Sequence, residues 1–327
     1  AVNTGLTANC KGIVYTAGVG AISSINFNNN IFRGWNLSCA STAISAIESS
    51  GSLLGSTPVI NANNNSFGTN ATNWINSVVD IDQFFYTLNI TNTFATTYNL
   101  TNNSVNGNLF GTKNCAGGSF LRVTGASSAN AVTSINGNTF NNVSIKFSNA
   151  STLYFIFTQY TLASTGQLLI NNNSISGTFT GAGNAAYRMI HCNMNTVAGA
   201  VTNISNNNFS NISTSFASVS DLFGIYTYFT ANPIQLTITG NTFSNWSYGD
   251  GGSTAIDMSD MTGTANCSGN TITNINSQGD FEGVSISAWG SSGTFTVANN
   301  NIANVVSSGA GGFIYGISGY ISTVVNT

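Results

Sequence analysis

The acidic side chains are the first residues of this sequence that could carry chemistry. The 327-residue chain has nine of them: Glu48, Asp80, Asp82, Asp221, Asp250, Asp257, Asp260, Asp280 and Glu282. Clustered carboxylates bind hard cations such as Ca²⁺, and a carboxylate pair can hydrolyse a glycosidic bond. Asp257, Asp260, Asp280 and Glu282 lie closest together and are the candidates for such a site. We prefer the simpler interpretation that these carboxylates are solubilising charges, and we predict no catalytic residue, no metal site and no cofactor.

The single histidine does not complete a catalytic arrangement. Arg188 lies three residues before His191, so alternation along a strand places the two side chains on opposite faces. Asp80 and Asp82, by contrast, would share one face if their segment were a strand. No Ser-His-Asp or Cys-His arrangement can be argued from His191. We therefore predict that His191 is a packed or surface residue.

The composition excludes several classes of partner. Charged residues make up 5 % of the chain, against about 25 % in typical soluble proteins. Six basic residues cannot form a phosphate-binding track, so nucleic acid is not an expected partner. No apolar run reaches the roughly 20 residues of a membrane helix. The first residues, 1–12, also lack the charged-then-apolar pattern of a signal peptide.

A nine-residue phrase recurs along the whole chain. It reads apolar–x–x–Asn–x–apolar–x–(Asn/Gly)–apolar, and of its nine copies the one at 62–70 fits least well and is the first candidate for a chance match. Its fixed asparagines are separated by 35, 38, 35, 35, 34, 34, 29 and 30 residues. Such a period marks a solenoid or another repeat architecture. The fixed asparagines are Asn30, Asn65, Asn103, Asn138, Asn173, Asn207, Asn241, Asn270 and Asn300.

Each repeat contains three short strands. In residues 224–253, a β-rich run at 224–230 is followed by a second strand at 234–241 and a third from Thr242 to Trp246. Good helix formers such as Lys, Glu and Arg are nearly absent. The pattern predicts an all-β, right-handed parallel β-helix of about ten coils, with residues 1–327 forming a single solenoid. A second match to the phrase, at 192–200, falls inside a strand and is attributed to chance.

The phrase itself predicts a turn with a stacked asparagine. Its first and sixth residues are apolar, for example Ile135 and Phe140, and a spacing of five breaks the alternation of a strand. A turn between them would let both side chains point inward. Asparagine tolerates left-handed backbone better than other residues with a side chain. Equivalent asparagines stacked about 4.8 Å apart can form an amide ladder.

The cysteines and tryptophans are interpreted as packing residues. Cys10, Cys39, Cys115, Cys192 and Cys267 contain no C-x-x-C pair and do not predict a zinc site. Cys267 occupies an apolar slot of its repeat, and Cys10 could meet Cys39 across neighbouring coils. Trp35 and Trp246 fill the last apolar slot of their own repeats. We predict that they pack against the next coil rather than form a platform for a glycan.

The phrases at 136–142, 239–245 and 268–274 resemble a known group of repeats. They are similar to those of right-handed parallel β-helix proteins in the pectate-lyase-like superfamily, and most to Asn/Ser/Thr-rich repeats of very large secreted surface adhesins of Bacteroidota. The resemblance implies a secreted or cell-surface location. Because this fold carries lyases, hydrolases, adhesins and filaments alike, it does not decide the function.

Several functions remain open from the sequence. The leading hypothesis is a non-enzymatic extracellular element, the shaft of an adhesin or a filament. Its partners would be neighbouring repeats, copies stacked end to end, or surface glycans, and the chain would be a window of a longer repeat protein. The alternative is a protein that binds or degrades polysaccharide. Ice binding is a third interpretation, but Thr237/Thr239, Thr271/Thr273 and Thr294/Thr296 fall at different offsets from their asparagines.

Overall fold

The computed structural model describes residues 9–18, 22–37, 43–53, 57–69, 72–80, 84–110, 113–147, 152–181, 186–196, 199–216, 221–230, 234–249, 251–309 and 311–322. These residues form strands, turns and bends, and no helix occurs among them. The strands are β1 (Asn9–Thr16), β2 (Ser24–Asn26), β3 (Ile31–Phe32), β4 (Trp35–Leu37), β5 (Ala43–Ser52), β6 (Val59–Asn61), β7 (Ser66–Phe67), β8 (Ile75–Ser77), β9 (Phe85–Thr93), β10 (Thr97–Thr101), β11 (Ser104–Asn108), β12 (Gly118–Ala126), β13 (Val132–Asn136), β14 (Thr139–Phe147), β15 (Thr152–Leu162), β16 (Gln167–Asn171), β17 (Ser174–Gly181), β18 (Ala186–Thr196), β19 (Val201–Ser205), β20 (Asn208–Phe216), β21 (Leu222–Thr230), β22 (Ile234–Thr239), β23 (Thr242–Tyr248), β24 (Ser253–Ser268), β25 (Thr271–Ser277), β26 (Phe281–Ala298), β27 (Asn301–Ser307) and β28 (Ile314–Ser322).

The strands stack into a parallel β-solenoid, as the repeat predicts. Each strand pairs in parallel with its counterpart in the next turn. The first row contains β1, β5, β9, β12, β15, β18, β21, β24, β26 and β28. The second row contains β2, β6, β10, β13, β16, β19 and β22, and it continues through β24 and β26, which join the two rows into one 17-stranded sheet. The third row is a nine-stranded sheet from β3 to β27, and β4 pairs separately with β8.

The core is a narrow column of apolar side chains between the rows. The two apolar slots of the repeated phrase point into it, as predicted: Ile135 and Phe140 are 0 % and 1 % exposed. Phe120, Phe140 and Phe155 come from different rows or turns, and their ring centroids lie 5.0–5.6 Å apart. Aromatic contacts of this kind continue the core from one turn to the next.

The predicted asparagine ladder is present at all nine positions. In every step, the backbone N–H and the Nδ2 amide of one asparagine both donate to Oδ1 of the next, at 2.9–3.0 Å. The remaining Nδ2 proton of Asn138 bonds the Leu100 carbonyl of the preceding turn. Asn65, from the copy that fits least well, is a full member of the ladder. The buried amides are therefore satisfied in both directions along the axis.

The residue before each ladder asparagine makes the turn. Its backbone is left-handed in all nine copies, with φ between 55° and 67°. Asparagine fills this position in six copies, and Gly137, Gly240 and Gly269 fill it in the others. These are the residue types for which left-handed backbone costs least. The prediction of a left-handed turn is thus confirmed, at the residue preceding the ladder.

The number of turns is smaller than predicted. Nine ladder residues are separated by eight steps, so the solenoid has about eight turns and not ten. The prediction counted too many turns because it assigned the whole chain to the repeat, whereas the ladder covers only Asn30 to Asn300.

The ladder predicts a large and position-specific loss of stability. Asn138→Ala removes the acceptor for Asn103 and the donor to Leu100 and Asn173. Each buried group left unsatisfied costs about 1–3 kcal/mol, so we expect the free energy of unfolding in urea to fall by about 3 kcal/mol or more. The exposed Asn141→Ala control should change it by less than about 0.5 kcal/mol. Equal effects of the two substitutions would contradict a structural role for the ladder.

Candidate functional site

Most charged residues of the strands, and the outward-facing aromatic rings, lie on the first row. Apart from β24 and β26, which belong to the first and second rows together, the described strands of the second and third rows contain one charged residue, Lys146 of β14. The first row differs because it also carries large rings on its outward side. We define its outward residues between β9 and β26 as the aromatic face: Tyr86, Arg122, Tyr154, Phe157, Arg188, His191, Phe223, Tyr226, Asp257 and Glu282.

The strand register arranges the aromatic face in two columns. The first column runs Tyr86, Ser119, Tyr154, Arg188, Phe223, Thr254, Glu282, and the second runs Asn89, Arg122, Phe157, His191, Tyr226, Asp257. Successive members of a column are one strand apart, about 4.8 Å. Large neighbours in a column are therefore close enough to pack on each other, as the His191 ring does on Phe157 and Tyr226.

Arg188 and His191 lie together, so the prediction that they occupy opposite faces is wrong. Met189 and Ile190, between them, are both fully buried, which means that β18 bends there and loses its alternation. The pairing with β15 likewise skips Met189. Residues three apart consequently emerge on the same side. The same bend brings Tyr154 and Phe157 together, with ring centroids 4.6 Å apart.

His191 is a buried neutral residue at the centre of the aromatic face. Its ring is surrounded by Tyr154, Phe157 and Tyr226 at 4.9–5.2 Å. Arg188 Nη1 lies 2.7 Å from His191 Nδ1, and because a guanidinium can only donate, Nδ1 is the acceptor of a neutral ring. Burial, together with the charge of Arg188, lowers the pKa of His191 to about 3. Of the two placements expected for His191, packed or at the surface, the structure shows the packed one.

The candidate carboxylates form a loose group of three, and Asp280 lies apart from it. The pKa of Asp257 is raised to about 6, mainly by desolvation, with the Glu282 and Asp260 charges also raising it and Ser259 and Arg188 lowering it. Ser259 Oγ donates to Asp257 Oδ1 at 2.6 Å. Asp280 instead accepts from the backbone of Phe313 at 2.8 Å. In the described part of the chain, no group of three His, Cys, Asp or Glu residues could hold a metal ion.

A pocket of about 200 Å³ opens in the aromatic face near its other end. Tyr86 and Tyr154 belong to one column with the small Ser119 between them, which leaves a gap between the two rings. Arg122 projects beside this gap, with its Cζ 5.3 Å from the Tyr86 ring and Nη1 donating to Asn89 Oδ1 at 3.0 Å. The pocket is lined by Phe84, Tyr86, Gly118, Ser119, Arg122, Tyr154 and Phe157.

Sequence reasoning missed this pocket, although a signal for it existed. Tyr154 and Phe157 are matched by Phe223 and Tyr226 two repeats later, and Arg188 with His191 occupies the same positions in the repeat between them. Large outward residues at two fixed positions of the first strand could have been found by aligning the strands. The nine-residue phrase covers only the turn and its flanking residues, so it does not include these positions.

Most of the other predicted residues serve packing. Trp246 is buried and donates from Nε1 to the Phe209 carbonyl at 2.8 Å, while Trp35 is half-buried and contacts Phe32 and Trp74. Cys267 is fully buried, as predicted.

Three further predictions concern paired residues: the Asp80/Asp82 pair, the Cys10/Cys39 pair and the Thr-x-Thr pairs. Asp80 lies after a bend and accepts two hydrogen bonds from Asn114, so the described part of its segment is not a strand. Asp82 and Cys39 lie outside the described residues, which leaves the Asp80/Asp82 and Cys10/Cys39 pairs untested. The three Thr-x-Thr pairs fall in different rows: Thr237 and Thr294 belong to second-row strands and Thr271 to the third row.

Comparisons with known proteins give no relative for this chain. No family model, no curated protein and no solved structure matches it. The described residues also contain no helix able to cross a bilayer.

His191 predicts a specific dependence of stability on pH. The unfolded chain takes up a proton at this histidine near pH 6.5, whereas the folded chain does so only near pH 3. Protonation therefore favours the unfolded state as pH falls through this window. As pH falls from 6.5 to about 4, the unfolding free energy of the native protein should decrease. It should decrease less in His191→Gln, as measured by urea denaturation. NMR of this one histidine should show no titration between pH 8 and about 5; a midpoint near pH 6.5 would contradict its burial.

Proposed function

We propose that this chain is a non-enzymatic structural element of an extracellular protein, a shaft segment of a large cell-surface adhesin or part of a filament. The observation that carries the proposal is the buried asparagine ladder, which continues without a break from Asn30 to Asn300. Each step repeats the same two hydrogen bonds in the same direction. A structure built in this way resists separation of its turns along one axis, which is what a shaft requires.

The surface chemistry supports the same proposal. The outward sides of the second and third rows consist mainly of Asn, Ser and Thr, and Asn61 and Asn99 continue an exposed amide row from Asn26 at 2.7–2.8 Å. Uncharged hydrogen bonds between turns depend little on ionic strength. Because every ladder step has the same polarity, the partners that we propose are further repeats of the same chain or copies stacked end to end.

Immunogold electron microscopy of intact source cells tests this function. We expect an antibody raised against residues 1–327 to label fibres or stalks outside the cell, with an axial repeat of about 4.8 Å in fibre diffraction of the isolated material. Antibody pre-absorbed with the purified chain is the matched control. Label confined to the cell interior would contradict the proposal.

A polysaccharide-active protein is the second candidate function, favoured by one observation. Asp257 has a pKa raised to about 6 next to the Glu282 carboxylate. Two carboxyl groups with different environments are the arrangement used by glycosidases, one as acid and one as base or nucleophile. Arg188 and the rings of Phe223 and Tyr226 lie beside them on the aromatic face.

Substitution of the carboxylates separates the two functions. The shaft function predicts that the native chain releases no reducing ends or unsaturated products from a polysaccharide panel, with Ca²⁺ or with chelator. It also predicts that the quadruple variant Asp257→Asn, Asp260→Asn, Asp280→Asn, Glu282→Gln folds with an unchanged circular dichroism spectrum. Product release that is lost in Asp257→Asn and kept in Asp280→Asn would establish the second function instead.

A further inference from the structure

The charge of the pocket is not balanced by its own residues. Arg122 is half-buried among aromatic rings, and none of the residues that line the pocket is acidic. Among the described residues, the one ion pair joins Lys11 to Glu48, and it does not involve Arg122. A partly desolvated cation without a counter-ion is costly and attracts an anion. The guanidinium has five N–H donors, and the hydrogen bond to Asn89 occupies only Nη1.

The pocket walls fit a ring attached to that anion. Tyr86 and Tyr154 lie two turns apart, about 10 Å at the spacing of neighbouring strands. Arg122 occupies the Tyr86 side of this gap, which leaves the Tyr154 and Phe157 rings as an aromatic wall opposite the charge. The C–H groups on one side of a sugar ring carry partial positive charge and pack on the negative face of an aromatic ring. The ring hydroxyls meanwhile face the open side of the pocket.

The volume limits the size of the ligand. About 200 Å³ is less than the roughly 300–1,000 Å³ of pockets for drug-sized compounds. One monosaccharide-sized ring fits such a space, whereas a longer saccharide would have to extend along the face. Phe84, which is 43 % exposed at the rim, would contact a neighbouring residue of the chain.

We propose that this pocket binds one acidic sugar residue of a glycan, with its carboxylate or sulfate paired to Arg122 and its ring packed on Tyr154. Binding requires no metal ion and involves no cleavage, because the candidate carboxylates lie in other turns. The pocket would allow a shaft to hold a glycan along its side. The inference goes beyond the shaft function and does not depend on it.

Binding of small sugars to the purified chain tests the proposal. The probes are glucuronate, N-acetylglucosamine 6-sulfate, glucose and benzoate. Their binding is measured by isothermal titration calorimetry and by NMR in the presence of EDTA. We expect one of the two acidic sugars to bind at least 10-fold more tightly than glucose and than benzoate. Arg122→Gln should weaken that binding roughly 10- to 100-fold, because a charge-assisted hydrogen bond to an anion is lost.

Matched variants show whether the pocket itself is responsible. Lys146→Gln removes an exposed cation from the third row and should leave binding unchanged. Tyr154→Leu keeps an apolar residue but removes the ring, and it should weaken acidic sugars while Arg122 is intact. Circular dichroism and the urea midpoint verify the fold of each variant.

Several results would overturn the proposal. They are no binding of either acidic sugar, equal binding of glucose, tighter binding of benzoate, or equal losses in Arg122→Gln and Lys146→Gln. None of these results bears on the immunogold experiment, so the binding site and the shaft function can fail separately.

Discussion

The rest of this structure depends on one interaction, the hydrogen bonding between asparagine carboxamides that are stacked along the solenoid axis. Each interior ladder asparagine, such as Asn138, accepts two hydrogen bonds at Oδ1 and donates two from Nδ2, one to the next turn and one to the turn before. Aspartate would place like charges about 4.8 Å apart in a buried column, and serine lacks the second donor. The carboxamide is therefore the group that satisfies itself at every turn, and its spacing holds the three rows of strands in register.

The turn that presents the carboxamide explains the form of the repeated phrase. The left-handed residue before the ladder accounts for the Asn or Gly that precedes each fixed asparagine. A second left-handed position follows in the third row at Asn211, Asn245, Asn274 and Asn304, with φ of 55–56°. The last three of these donate side-chain bonds to the preceding member at 3.2 Å. At both positions the residue type is set by the left-handed backbone, which is a local requirement. Both could therefore be predicted from the sequence without knowledge of the fold.

The candidate site could not be predicted in the same way, because it depends on which residues meet between turns. Arg188 and His191 contact each other only because β18 bends at Met189, and alternation along a regular strand predicts the reverse. Tyr86, Arg122 and Tyr154 come from three different strands, and their contact follows from the register of β9, β12 and β15. The three strands per repeat were predictable from local patterns, whereas the outward columns require the register that the ladder sets.

Repeats of different length keep the same ladder position. The two shortest repeats end at Asn270 and Asn300, and in both a single strand, β24 or β26, runs through the first and second rows. Both still place their asparagine in the ladder. The connection between rows can therefore change length while the register is kept.

The ladder and the core hold the turns together from inside, and the outward rings of the first row add further contacts between turns. Outward aromatic rings gathered in one patch are typical of interaction sites on soluble proteins. Their concentration on one of the three faces supports the binding site that we propose there.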